Sequence, residues 1–215
     1  KTIINQGLGG ALSNFWPSNK TALGSYDEWL LLHDGPNQHA NVDDFIDNLD
    51  FQPLISILLP TYNSDLNFLT QAVESVTGQS YSNWQLCIAD DASTDKDLKD
   101  YLKKLETNEK ISIVYRNTNG HISAATNSAL SSAIGEFVTF LDHDDKLHPH
   151  ALSAVVSQLN EDIELDILYS DEDKIDEQGN RSQPFFKPDW SPDLLLSQNY
   201  TCHLSIYRKT LIDKL

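Results

Sequence analysis

The sequence has no methionine, only two cysteines, and only 15 lysines and arginines against 32 aspartates and glutamates. Cys87 and Cys202 stand far apart and show no metal-ligand spacing, and Cys87 sits in an apolar run where it reads as a small buried hydrophobe. A disulfide framework is excluded, and the chain reads as reduced and cytoplasmic. The formal net charge of -17 repels phosphate backbones, so nucleic acid is a poor partner. The same charge argues against a polybasic membrane patch. No apolar stretch approaches ~18 residues, which leaves no candidate membrane-spanning helix, and the N-terminus does not read as a secretory signal. The lack of methionine even at position 1 points to a piece of a larger parent protein with other domains. Neither G-x-G-x-x-G nor G-x-x-x-x-G-K-[ST] occurs, so dinucleotide and P-loop readings have no support.

What is present suits a globular domain: 40% hydrophobic and 22% charged residues in a chain of 215, long enough to bury a core without staples. Residues 1–50 read as an N-terminal extension, punctuated by Gly7, Gly9, Gly10, Pro17 and Pro36. One short helix is expected there over residues 26–32 (YDEWLLL), packed on the main domain through Trp29. Residues 51–215 read as the main domain. Short apolar runs at 54–59 (LISILL), 84–89 (WQLCIA), 111–115 (ISIVY), 136–141 (EFVTFL) and 165–169 (LDILY) predict strands. Helical spacing over 66–76, 97–105, 123–132 and 149–159 fills the gaps. Such alternation predicts βαβ units and an α/β domain with a mostly parallel sheet flanked by helices. Ligands of these sheets bind at the carboxyl ends of the strands. Beyond Tyr169 the pattern turns irregular, with a turn at Gly179-Asn180 and one more strand expected at 203–207.

The residues that follow the strands are the informative ones. The first strand ends in Pro60-Thr61-Tyr62-Asn63, where Tyr62 can offer an aromatic face to a planar base or simply sit in a turn. After the second comes Asp90-Asp91-Ala92-Ser93-Thr94-Asp95. Asp95 fits a helix N-cap, whereas the adjacent carboxylates of Asp90 and Asp91 repel and need a reason to be together. The fourth is followed by Asp142-His143-Asp144-Asp145. On extended backbone Asp142 and Asp144 point to one side, and two hard oxygen donors suit Mg2+ or Mn2+; a solvated acidic loop is the alternative. His143 then points the other way. Asp171-Glu172-Asp173 could orient a hydroxyl or form a charged loop, and Lys187 and Arg208 could meet diphosphate oxygens or pair with acidic neighbours.

PTYN, DDASTD and DHDD, each after a predicted strand and in this order, resemble the family 2 glycosyltransferases, which are GT-A-fold enzymes acting on nucleotide-diphosphate sugars. The match runs from about Pro53 to Tyr207. Residues 119–129 (NGHISAATNSA) look like the family's glycine-to-helix stretch, with Thr126-Asn127 where Arg-Asn is usual. YSDED, FFKPDWSPDLLLSQNY and the early YDEW helix resemble a subgroup that builds bacterial surface polysaccharides such as O-antigen, rhamnan or capsule. The resemblance implies nucleotide binding by Pro60, Thr61, Tyr62, Asn63, Asp90, Asp91 and Asp142. Tyr62 would stack on the base, and Asp90 or Asp91 would bind its edge. Asp142 would reach the ribose or the metal, and Asp144 would hold the metal, Mn2+ or Mg2+. The donor would be a UDP or dTDP sugar, the acceptor a growing polysaccharide, another glycan or a lipid-linked glycan, and the outcome inversion at the anomeric carbon. The family's catalytic base lies on a later motif, beyond Leu215; inside the chain the candidates are Asp171 and Asp173. Any membrane association would come through other parts of the parent protein. Two other readings are a donor-binding scaffold without turnover and a sugar-phosphate nucleotidyltransferase. The acidic, glycine-free PTYNSD loop argues against the latter.

Overall fold

The computed structural model describes residues 25–34 and 46–214. In chain order its first elements are α1 (Tyr26–His33), β1 (Ile55–Thr61), α2 (Leu66–Thr77), β2 (Trp84–Asp90), α3 (Lys96–Leu105), β3 (Ile111–Tyr115), α4 (His121–Leu130) and β4 (Phe137–Phe140). They are followed by α5 (Ala151–Glu161), β5 (Ile167–Tyr169), β6 (Glu172–Ile175), β7 (Arg181–Phe185), α6 (Pro192–Ser197), β8 (Ser205–Arg208) and α7 (Lys209–Ile212). The described residues divide into two compact units, one drawn from Gln52–Leu152 with Ile206–Leu215, the other from Lys1–Phe51 with Ser153–Ser205. Among the described residues no helix is long and apolar enough to cross a membrane.

The first unit is the predicted α/β core. Its strands run in the order β3-β2-β1-β4-β8. β1 pairs in parallel with β2 and β4, placing Thr61 opposite Asp90 and Ile55 opposite Phe137. β2 continues in parallel to β3, with Asp90 opposite Tyr115. β8 joins β4 antiparallel, with Phe137 opposite Arg208. The apolar run at 203–207 gives a strand but not its direction, so this reversal is a property of the tertiary fold. Leu58, Cys87, Ala89 and Val138 pack on one face against Ala125, Ala129 and Ala133. Small residues on α4 allow this close seating. The alternate residues Ile57, Leu59, Leu86 and Ile88 face the other way and are also fully buried, so both faces are covered and the strands are apolar throughout. Each large aliphatic removed from water contributes about 1.5–3 kcal/mol.

Local chemistry sets the helix starts. Asp65 caps α2 by accepting the Asn67 and Phe68 N–H groups, and Leu69, Ala72, Val73 and Val76 form its buried stripe. Asp95 caps α3 through the Leu98 N–H, as its N-cap character predicts. Gly135 is required by close approach. A Cβ there would lie 2.6 Å from the Leu54 carbonyl oxygen and 2.8 Å from the Ser56 nitrogen, which is how β4 gets alongside β1.

In the other unit, β6 and β7 form an antiparallel hairpin that pairs Glu172 with Phe185 and Ile175 with Arg181. Asp176 closes its turn by accepting the Gln178 and Asn180 N–H groups, and Gly179 takes a φ of 86°. α1 carries a capping box between Ser25 and Glu28, and its Trp29 ring lies 5.2 Å from that of Phe186, the residue just past β7, tilted by 60°.

Candidate functional site

The order β3-β2-β1-β4 reverses at β1: the chain steps outward from β1 through β2 to β3, then returns to the other side of β1 as β4. The gap beyond the carboxyl ends of β1 and β4 is therefore a topological switch point, where open α/β sheets bind ligands. Backbone pairing runs past the strand ends and fixes the rim: Asp91 N–H donates to Thr61 O at 2.9 Å, Arg116 N–H to Asp90 O at 2.9 Å, and Leu141 N–H to Leu58 O at 2.9 Å. Tyr62, Asp91, Arg116 and Asp142 consequently lie along one edge.

Three of the four residues of the first motif build this rim. Pro60 is the penultimate residue of β1. Thr61 is buried, with its Oγ1 donating to Ser64 Oγ at 2.8 Å. Asn63, at φ 46°, latches the neighbouring loop. Its N–H donates to Ser93 Oγ at 2.8 Å, and its Oδ1 accepts the Thr94 N–H at 2.8 Å and the Asp95 N–H at 3.3 Å. Tyr62 is left half exposed at 50%, its ring open to solvent as a stacking face needs.

Asp90 and Asp91 are both buried, and the structure gives them different environments. Asp90 Oδ1 accepts the Ser93 N–H at 3.0 Å across a turn in which Ala92 has φ 64°. Asp91 accepts the Gly120 N–H on both oxygens at 3.0 Å and the Arg116 Nε–H at 2.6 Å. Arg116 also donates Nη1–H to the Ala124 carbonyl at 3.0 Å and to Ser128 Oγ at 2.5 Å. A Cβ on Gly120 would come within 2.4 Å of its Nη2, so glycine makes room for the guanidinium. The mutual repulsion of the Asp pair is relieved by giving one member a cation and the other a backbone N–H. Arg116 is the residue that sequence reading missed. Its signal was its place one residue past β3, next in the sheet to the end of β2. The neighbouring Tyr115 phenol is pushed up to about 12, first by burial and then by Glu106.

After β4 the backbone turns instead of continuing as strand, because Asp145 N–H returns to Asp142 O at 3.1 Å. The two-residue alternation expected of Asp142 and Asp144 therefore stops at the turn. Asp142 is half-buried, and the Asp144 side chain is 60% exposed with His143 Nδ1 3.7 Å from its Oδ1. Carboxylates are the hard oxygen donors that Mg2+ or Mn2+ takes, and in this turn Asp142 is half-buried and Asp144 exposed. Among the described residues it is the carboxylates of Asp142 and Asp145 that come within 4.8 Å of one another, and oxygen donors of this kind suit a divalent cation.

The remaining acidic candidates belong to the other unit. Asp173 accepts the Tyr26 hydroxyl at 2.5 Å and Arg181 Nε–H at 2.6 Å. Asp171 accepts the Lys187 backbone N–H at 2.7 Å, and burial raises its carboxyl above the usual range. Lys187 is buried; its ammonium donates to the carbonyls of Cys202 at 2.8 Å and His203 at 3.0 Å and lies 3.1 Å from Glu172. Burial pushes the ammonium down, opposed by Glu172. In the first unit, the Arg208 guanidinium stacks 4.6 Å over the Phe137 ring. Both cations thus have internal partners.

The sequence profile described as glycosyl transferase family 2 matches residues 56–215. The chain belongs to this family. The chain is similar to an uncharacterised protein, y4gI, of Sinorhizobium fredii, 42% identical over 174 residues, which are 80% of this chain and 19% of that protein. The O-antigen biosynthesis protein RfbC of Myxococcus xanthus is 37% identical over 194 residues, 90% of this chain and 15% of that protein. The chain therefore spans less than a fifth of either relative. S. aureus TarS, solved in complex with UDP-GlcNAc, superposes with a TM-score of 0.60 at 26% identity, covering 74% of this chain and 46% of that one. The fold is that of the GT-A glycosyltransferases.

Proposed function

We propose that this chain is the nucleotide-sugar-binding core of a metal-dependent, inverting glycosyltransferase that works in polysaccharide biosynthesis. The observation that carries the reading is the convergence of Tyr62, the Asp90–Asp91 turn and the 142–145 carboxylates at the switch point of a family 2 sheet. The sheet positions each of them rigidly, since the ladder bonds continue to the rim. Tyr62 stacks on the nucleobase. Asp90 accepts the imide N–H of uracil or thymine, because Asp91 is already engaged by Arg116 and Gly120. Asp142 and Asp144 hold the cation, which when bound neutralises charge on the leaving nucleoside diphosphate. The donor is a UDP or dTDP sugar and the acceptor a glycan hydroxyl. The TarS complex with UDP-GlcNAc and the O-antigen relative support both assignments.

Calorimetric titration of UDP and dTDP, each with and without Mn2+, against wild type and Asp144→Ala tests this. The expected result is binding that requires Mn2+ and weakens at least tenfold in Asp144→Ala. Equal affinity with and without metal would overturn the metal assignment, and no binding of either nucleotide to a demonstrably folded chain would overturn the site.

A further inference from the structure

α1 lies outside the family match, which starts at residue 56, yet it is tied to a hairpin inside that match. Eight residues make a marginal helix on their own, and none of the α1 residues is buried, so side-chain contacts must hold it. Two groups of contacts do so. The Trp29 ring lies 5.2 Å and the Tyr26 ring 6.5 Å from the Phe186 ring. Arg181, at the start of β7, is shared by two carboxylates: Asp34 at the C-cap of α1, and Asp173 on β6. The Tyr26 hydroxyl donates to the same Asp173 oxygen at 2.5 Å. A guanidinium presents several donors in a fixed fork, so it can hold two carboxylates at once where an ammonium could not hold the same geometry.

The hairpin needs such support. A two-stranded ribbon is marginal in water, and Ser182 and Gln183 on β7 are exposed. Its turn is closed on itself by Asp176. Its root is fixed differently: Glu172 accepts the His203 N–H and pairs with Lys187, whose ammonium holds the Cys202 and His203 carbonyls. The root is thus anchored by a buried lysine, while the body of the hairpin is held by α1.

We propose that α1 is a clasp for the β6–β7 hairpin, with Arg181 as its positioning residue, and that this hold serves glycosyl transfer; the second part rests on the function proposed above. The working unit of the enzyme then begins before the family match. Asp173 is a strut of the clasp.

Hydrogen exchange of amides 172–185 in the full-length protein tests the clasp, using Arg181→Met and the milder Asp34→Asn, which leaves the Arg181–Asp173 pair in place. Exchange is expected to rise at least tenfold in Arg181→Met and several-fold in Asp34→Asn. Amides 84–90 should stay protected, which shows that the chain remains folded. Unchanged protection of the hairpin in both variants overturns the clasp. In the same preparations, kcat for transfer from UDP-GlcNAc should fall about tenfold with donor KM and Mn2+-dependent UDP affinity within twofold of wild type. A loosened hairpin with unchanged kcat overturns the link to transfer. If the wild-type protein transfers from no nucleotide sugar, the functional reading fails while the exchange result still decides the clasp.

Discussion

Asp91 is a carboxylate almost wholly removed from water, and such a group persists only with a cation and hydrogen bonds to its oxygens. Arg116 and the Gly120 N–H supply both. Removing the cation alone strands the charge, so Arg116→Met is expected to lower unfolding free energy by about 3 kcal/mol. The double variant Arg116→Met with Asp91→Asn should be less destabilised than the single one, because no buried charge remains. Urea denaturation of the three proteins checks this, and additive losses would show that Asp91 does not depend on Arg116. The pair also explains what could be seen in the sequence. Tyr62 and Asp144 stand out in the sequence as candidates because they follow apolar strands, and both are exposed in the structure. The division of labour between Asp90 and Asp91 was not legible, because the partner that decides it is 25 residues away and is brought near only by the β2–β3 pairing.

Elements β1 to β4 were legible as runs of branched and aromatic residues, and their helices as 3.6-residue stripes, because parallel strands buried on both faces must be apolar throughout. β6 and β7 were not legible as strands. Their sequences, EDKI and RSQPF, are polar and half-exposed, and only the Gly179-Asn180 turn between them gave a signal. The register of β4 depends on Gly135, whose missing Cβ lets the chain pass within contact of Leu54 and Ser56. Two of the three atoms that an alanine methyl would strike are backbone, which cannot rotate away. Gly135→Ala is therefore expected to cost about 1–3 kcal/mol, the range for overpacked sites. Because β4 leads straight into the 142–145 turn, the same change should weaken Mn2+-dependent UDP binding several-fold. Calorimetry and urea denaturation on one preparation check both effects. Loss of stability with undisturbed binding would show that the turn is set by its own hydrogen bond and not by the strand register.

For the whole molecule, the charge of -17 acts on every part at once. Self-repulsion of that size destabilises a compact state and is relieved by screening, with a Debye length of about 10 Å at 0.1 M salt. The thermal midpoint should accordingly rise by several degrees between about 20 and 200 mM NaCl. A divalent cation adds a second effect only if it binds the folded state at a defined place, in which case stability grows with the logarithm of its concentration above the dissociation constant. The two effects separate at matched ionic strength. MgCl2 should raise the midpoint beyond what NaCl does, and Asp144→Ala should remove the surplus while keeping the NaCl response, since one exposed carboxylate among 32 acidic residues contributes little to the overall field. A surplus that survives in Asp144→Ala would mean that Mg2+ acts diffusely on the acidic surface, and the cation would then have to be sought away from the 142–145 turn.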